Sequence, residues 1–220
     1  MKKSLLLVPL LAFLLVGCGN SDTIGENGGG GDNTGGNNND DGGGDSQTYA
    51  LIAKYDFTLS GHTIKGSELK TEEQALTLFD DSLVEGTDKL LSITDIVKVY
   101  DGNSSGGAYP ETPAILKMGS SSSNGTFTLH FEEGTDVART IVSCHDFYDP
   151  SSEWGGNTDY LSVNSDSQLT PFNEGATPSD LTYDFSEATD VLEFESMGSG
   201  TGNSIYGRVV IFSISLYGLS

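Results

Sequence analysis

The sequence contains few cysteines. Only Cys18 and Cys144 occur in 220 residues, and Cys18 lies close to the amino terminus, so no disulfide framework is expected. A domain without disulfides must be held by its own hydrophobic core, and about 170 residues suffice for one. Cys144 ends a strand-like run, residues 140–144, which favours a buried and unreactive thiol.

Basic residues are also scarce. Lys and Arg number 10 against 32 Asp and Glu, which gives a formal net charge of −22 at pH 7. Such a surface repels the phosphates of nucleic acids, so no nucleic-acid partner is expected. The acidity is compatible with a structural Ca²⁺ ion, and no other cofactor is predicted.

An apolar run lies at the amino terminus. Lys2 and Lys3 precede the almost wholly apolar residues 4–16, and Gly17 then precedes Cys18. This three-part build is typical of a secretory signal, and the run is too short to span a bilayer comfortably. Residues 1–17 and the cysteine that follows them resemble the signal peptide and lipobox of bacterial lipoproteins.

The resemblance implies cleavage before Cys18 and attachment of lipid to this residue. The membrane would then be a partner through the lipid, and the protein would be anchored on the exported side of the membrane, in the bacterial cell envelope. Loss of residues 1–17 removes two lysines and leaves eight basic against 32 acidic residues, a net charge of −24.

Residues 18–47 comprise the cysteine and a segment with almost no apolar side chains. Of the 29 residues from 19 to 47, 11 are Gly, six are Asn and five are Asp. Such a composition cannot bury enough surface to offset the entropy of ordering. The segment is therefore predicted to be a disordered linker, and its aspartates lack the spacing of a calcium loop.

Residues 48–220 show the alternating pattern of β-strands. Leu51, Ala53 and Tyr55 alternate with more polar neighbours, and Phe127 and Leu129 do so more clearly. This period of two predicts strands with one buried face. About nine strands are expected, at 49–57, 91–100, 113–118, 126–132, 137–147, 158–163, 180–185, 190–196 and 205–217.

One short helix is predicted near residue 71. Thr71 is a suitable N-cap with Gln74 three residues on, and four later apolar residues share one face: Ala75, Leu76, Phe79 and Leu83. Many short strands with a single helix indicate an all-β fold, a single jelly-roll-type β-sandwich. The last strand is rich in β-branched residues and is expected at the centre of a sheet.

A second resemblance covers much of this domain. Residues 96–131, 141–148 and 206–217 resemble β-sandwich modules of bacterial exported proteins, similar in shape to galactose-binding-like and carbohydrate-binding sandwiches. Such modules occur alone on lipoproteins or beside extracellular enzymes. The resemblance implies a β-sandwich, and it implies fold more than activity.

No catalytic residues are predicted. Gly102-Asn103-Ser104-Ser105-Gly106 fits G-x-S-x-G, but the residues that follow cannot start the helix that this motif requires. His130 and Glu132 project from the same face of one predicted strand, as two metal ligands would. A third ligand is missing, and a solvent-facing polar stripe explains the pair as well.

The candidate ligand-binding residues lie in polar, glycine-containing loops and at the ends of the predicted strands beside them. Trp154, the only tryptophan, follows a group of polar and aromatic residues. Aromatic rings stack on the C–H faces of sugars, while carboxylates and amides bond to sugar hydroxyls. The tentative set is Tyr109, His145, Tyr148, Asp149, Trp154, Asn157 and Tyr160.

The sequence therefore predicts a membrane-anchored surface lipoprotein with a non-catalytic binding sandwich, and a glycan is the candidate ligand. One alternative is that the aromatic rings only pack beneath the loops. Another is an extracellular hydrolase with His145 at its centre. A third is a structural or adhesive envelope protein whose partner is another protein.

Overall fold

Buried and exposed side chains alternate along the strands, which pair into two antiparallel sheets that enclose the core. The structure is a computed structural model, and it describes residues 47–59, 66–102, 115–147, 159–170, 178–199 and 206–220. Cys18, the predicted signal and nearly all of the predicted linker lie outside this described part. Within it, no helix is long and apolar enough to cross a membrane.

The described residues contain one α-helix, one short 3-10 helix and twelve strands. The helices are α1 (Glu72–Ser82) and the 3-10 turn Phe57–Leu59. The strands are β1 (Tyr49–Asp56), β2 (Leu83–Gly86), β3 (Leu90–Val97), β4 (Val99–Tyr100), β5 (Leu116–Met118), β6 (Thr126–Phe131), β7 (Val137–Asp146), β8 (Asp159–Val163), β9 (Asp166–Leu169), β10 (Ser179–Thr189), β11 (Val191–Gly198) and β12 (Val209–Leu219).

The strands form a large and a small sheet. The large sheet has seven strands in the order β10-β7-β12-β1-β2, with β5 added to β12 and β4 to β5. The small sheet has five strands in the order β3-β6-β11-β8-β9. Successive strands repeatedly pass from one sheet to the other, as jelly-roll connections require. The predicted all-β sandwich with one helix is confirmed.

Three differences account for the larger number of strands. The predicted strand 91–100 divides into β3 and β4 at Lys98, whose φ of 50° turns the chain from the small sheet to the large one. The short strands β2 and β9 were not expected from the sequence. Asn164 and Ser165 both have positive φ, so the chain turns tightly there and pairs β9 with β8.

The core lies between the sheets and is rich in aromatic side chains. Phe127 and Phe194, opposite one another on β6 and β11, stack with ring centroids 4.5 Å apart. Phe79 of α1 contacts Tyr55 and Phe127 at centroid distances of 5.1 and 6.0 Å. The helix thus packs against both sheets.

The cap of α1 forms as predicted, but its buried face differs. Thr71 accepts a hydrogen bond from the Gln74 backbone N–H at 3.2 Å, and the Gln74 side chain accepts one from Lys70 N–H at 2.8 Å. The buried residues are Ala75, Leu78, Phe79 and Ser82. Leu76 and Leu83, which were expected on that face, are half-buried but still pack against the core. Leu83 already begins β2.

The last strand lies at the centre of the large sheet. β12 pairs with β7 on one side and with β1 and β5 on the other. Cys144 of β7 lies opposite Ile211 of β12, and its thiol is buried in the core. Burial raises the pKa of this thiol, as expected of an unreactive cysteine.

Candidate functional site

Only two of the tentative ligand-binding residues lie in the part of the chain that the structure describes. They are His145 and Tyr160. The others lie outside the described residues: Tyr109, Tyr148, Asp149, Trp154 and Asn157. The structure nevertheless describes the residues that border the two segments containing them, 103–114 and 148–158.

His145 is packed inside the protein. It is 0% exposed, its Nδ1 lies 2.7 Å from the Asp146 carbonyl oxygen, and its ring meets the Phe212 ring edge-on at 4.9 Å. A carbonyl oxygen only accepts, so Nδ1 donates the proton. Burial lowers the pKa of His145, which favours the neutral imidazole.

Strand geometry separates His145 from the neighbouring carboxylate. Successive side chains of a strand point to opposite faces, so His145 lies on the outer face of β7 and Asp146 on the core face. His145 is opposite Val210, and Asp146 is opposite Val209 of the core. The two residues therefore do not form the side-chain His–Asp pair of a catalytic triad.

A cluster of cations and aromatic rings occupies the outer face of the large sheet beside His145. We call Tyr100, Lys117, Phe147 and Arg208 the cation–aromatic cluster. Lys117 Nζ lies 4.4 Å from the Tyr100 ring centroid and 4.7 Å from that of Phe147. The Arg208 guanidinium lies 5.0 Å from the Phe147 centroid. Such contacts favour a buried cation.

Lys117 is unusually well buried for a lysine. It is 5% exposed, and burial together with the nearby charge of Arg208 lowers its pKa to about 8. Both effects disfavour the charged ammonium. The amine therefore titrates closer to neutral pH than an exposed lysine.

Two carboxylates lie on the core side of the same sandwich end. Asp146 ends β7 of the large sheet and Asp159 begins β8 of the small sheet. The Thr170 hydroxyl contacts a carboxylate oxygen of Asp146 and lies 2.6 Å from the Asp159 carbonyl oxygen. Burial raises the pKa of Asp146 to about 7 and that of Asp159 to about 6, and the Asp159 charge raises that of Asp146 further.

The residues that border the candidate loops meet at this end. Phe147 N–H donates to the Arg208 carbonyl oxygen at 2.8 Å, and Arg208 N–H donates to Asp159 Oδ2 at 2.9 Å. Phe147 and Asp159 are the described residues that flank residues 148–158. Ile115, which follows residues 103–114, belongs to the same buried group as Phe147. Both segments therefore start or end beside the cation–aromatic cluster.

The outer face of the small sheet carries a groove that the sequence analysis missed. Its volume is about 520 Å³, and the lining includes Asp95, Thr128, Ser162, Glu193, Glu195 and Met197. We call it the small-sheet groove. Tyr160 lies opposite Met197 and, by strand alternation, on the same face as Ser162. The sequence showed the alternating polar residues of β6 and β11, but it did not show that these two strands are neighbours.

Hydrogen bonds hold the carboxylates of the groove in place. Thr94 and Thr128 hydroxyls donate to Asp95 Oδ2 at 3.1 and 3.3 Å, and Asn124 Nδ2 donates to Glu195 Oε1 at 3.0 Å. Asp95 has a φ of 52° in an irregular part of β3. Its side chain therefore lies where a regular strand would not place it.

His130 and Glu132 do not share a metal position. His130 Nε2 lies 2.9 Å from the Thr94 hydroxyl, whereas Glu132 forms an ion pair with Lys89 at 2.7 Å. They belong to a polar stripe above the buried residues Phe127 and Leu129, as the alternative interpretation expected. Within the described ranges, no group of three or more His, Cys, Asp or Glu could hold a metal ion.

The sequence was also compared with known proteins. No protein-family model matches the chain, and no curated protein matches it.

Proposed function

We propose that this chain is a lipid-anchored protein on the exported side of the membrane of a bacterial cell envelope. In this proposal, Cys18 carries the lipid, residues 18–47 link it to the sandwich, and the sandwich is a non-catalytic module that binds a glycan. The glycan contacts the aromatic, carboxylate and amide side chains of residues 103–114 and 148–158.

The observation that supports this proposal is the meeting of the loop borders at one sandwich end. A backbone hydrogen bond of 2.8 Å joins Phe147 to Arg208, and Arg208 N–H donates to the Asp159 carboxylate at 2.9 Å. Ile115 packs in the same buried group as Phe147. Segments that begin and end at neighbouring points offer their side chains to one ligand, while the rigid sheet ends limit the entropy lost on binding.

The burial of His145 supports a binding role over hydrolysis. A general base must come within hydrogen-bond reach of the proton that it removes. His145 is fully buried, and its Nδ1 proton is directed at the Asp146 carbonyl oxygen. The hydrolase alternative therefore gains no support from the residue on which it was centred.

A glycan array tests the proposal with the Trp154→Ala variant. We expect the wild-type domain to retain at least one glycan class and the variant to lose about tenfold or more in affinity, because a buried aromatic contact contributes strongly to binding. The matched control is Tyr217→Ala, at the opposite end of β12, which should bind like wild type.

The array should be run with calcium and with EDTA. Binding that requires calcium would indicate that acidic loops hold a structural ion. Absence of any retained glycan would contradict the proposal. Equal loss in Trp154→Ala and Tyr217→Ala would show a general effect of aromatic removal and would also contradict it.

A further inference from the structure

The small-sheet groove is a second concave surface. It is separate from the sandwich end where Phe147 and Asp159 flank residues 148–158. It lies on the outer face of β6, β11, β8 and β9, where cross-strand neighbours bring polar side chains together. Glu195 is opposite both Thr126 and Ser162, and Ser162 is opposite Ser167. A volume of about 520 Å³ is in the range of small-molecule sites.

The charge of the groove is entirely negative. Asp95, Glu193 and Glu195 contribute carboxylates, and among the described residues no basic side chain lines the groove. The described ion pairs use other acids, since Lys89 pairs with Glu132, Lys98 with Glu68 and Arg139 with Asp184. No cation of the described chain therefore neutralises this surface.

The Ser162 hydroxyl is a second and independent feature. Ser162 is 5% exposed and lines the groove. In the described part of the molecule its side chain makes no hydrogen bond, although the hydroxyl is both donor and acceptor. Because Ser162 lines the groove, its hydroxyl is available there as a donor and an acceptor for a ligand.

The carboxylates are spaced along one strand. Glu193 and Glu195 are two residues apart on β11 and share its outer face, so their backbones lie about 6.6 Å apart at the usual rise of a strand. Asn124 fixes Glu195, whereas Glu193 is exposed and its side chain has no hydrogen bond within the described ranges. Two acceptors at this spacing suit a ligand with more than one donor.

We propose that the small-sheet groove binds an organic ammonium ligand, such as an aliphatic polyamine or an amino sugar. The ammonium groups donate to Glu193, Glu195 and Asp95, and Ser162 pairs with a polar group of the ligand. Charge-assisted hydrogen bonds to carboxylates are the strongest that such a ligand can form. The proposal is independent of the glycan site, because it uses different side chains.

Titration calorimetry with spermidine and, separately, with a glucosamine oligomer tests the proposal on the mature chain. We expect saturable binding of one of the two with a single site, and the probe that binds identifies the source of the ammonium group. Glu193→Gln combined with Glu195→Gln should weaken binding by at least about tenfold, since each replaces a charged acceptor of the ammonium groups with a neutral one. Ser162→Ala should weaken it by a smaller factor.

The matched control is Glu85→Gln combined with Glu187→Gln. These exposed residues lie on β2 and β10 of the large sheet and give the same change in net charge, so binding should stay within about twofold of wild type. If the groove double variant does not fold by circular dichroism, the exposed Glu193→Gln alone replaces it, with Glu187→Gln as its control.

Three outcomes would overturn the proposal. The first is no saturable binding of either probe. The second is an equal loss in the groove and control variants, which would show attraction by net charge alone. The third is stabilisation by Ca²⁺ or Mg²⁺ with no binding of either amine.

Discussion

Asp146 and Asp159 belong to different sheets, yet the hydroxyl of Thr170 bridges a carboxylate oxygen of the first and the carbonyl oxygen of the second. A hydroxyl has one proton, so it satisfies only one of two acceptors at a time. Burial raises the pKa of both carboxyls, whereas the hydrogen bond from Thr170 lowers that of Asp146.

The raised pKa values of these buried carboxyls predict that the protein becomes less stable as the pH rises from about 4 to about 7. The pKa in the folded state is about 7 for Asp146 and about 6 for Asp159, above the usual 3.8 of each. The folded state therefore binds these protons more tightly than the unfolded state does. Their contribution to the free energy of unfolding is full near pH 4 and is lost as the pH passes 6 and 7. Urea unfolding at several pH values measures the effect.

Asp146→Asn should flatten this dependence, because the amide does not titrate. The control is Asp180→Asn, an exposed residue of β10 with the same change in charge. The assignment of the pH dependence to Asp146 is wrong if the free energy of unfolding of Asp146→Asn changes with pH as steeply as that of the wild type. It is also wrong if Asp180→Asn reduces this pH dependence as much as Asp146→Asn does.

The N-cap of α1 gives a second prediction. Thr71→Ala removes the acceptor for Gln74 N–H and should lower the free energy of unfolding by about 1 kcal/mol. Thr77→Ala is the control, because the Thr77 hydroxyl donates to the Glu73 carbonyl oxygen inside the helix, a bond of little benefit there. Denaturant titration compares the two, and equal losses would contradict a specific role of the cap.

The central position of β12 gives a third prediction. Val209, Ile211, Ile214 and Leu216 are fully buried, and the strand joins β7 to β1 and β5. Removal of residues 209–220 should abolish cooperative unfolding, since it exposes two sheet edges and removes these core side chains. Calorimetry of residues 45–220 and 45–208 provides the comparison; a sharp transition in the shorter chain would mean that β12 is dispensable.

The proposed lipid on Cys18 gives a fourth prediction. Expressed in a bacterial host, the wild-type chain should incorporate a labelled fatty acid and separate with the membranes, and Cys18→Ser should do neither. Cys144→Ser is the matched control, because Cys144 is buried in the core and should leave labelling unchanged. An intact, unlabelled amino terminus found by mass spectrometry would contradict the anchor.

The site could be predicted from the sequence only in part. The cap at Thr71 and the buried thiol of Cys144 were expected, because each depends on residues close together in the chain. The burial of His145 was not, since it depends on Phe212 and on the neighbouring strand β12. The small-sheet groove was missed for the same reason.

The amino-acid sequence by itself determined that this domain is built of strands with one helix, because the alternation of apolar side chains and the capping residues act over a few positions. Only the tertiary structure decided which strands are neighbours. The pairing of β11 with β6 and β8 placed Glu195 beside Thr126 and Ser162, and the turn of the chain at Lys98 carried one predicted strand into two sheets. Such pairings join residues far apart in the chain and follow from the packing of the whole core, which no local pattern encodes.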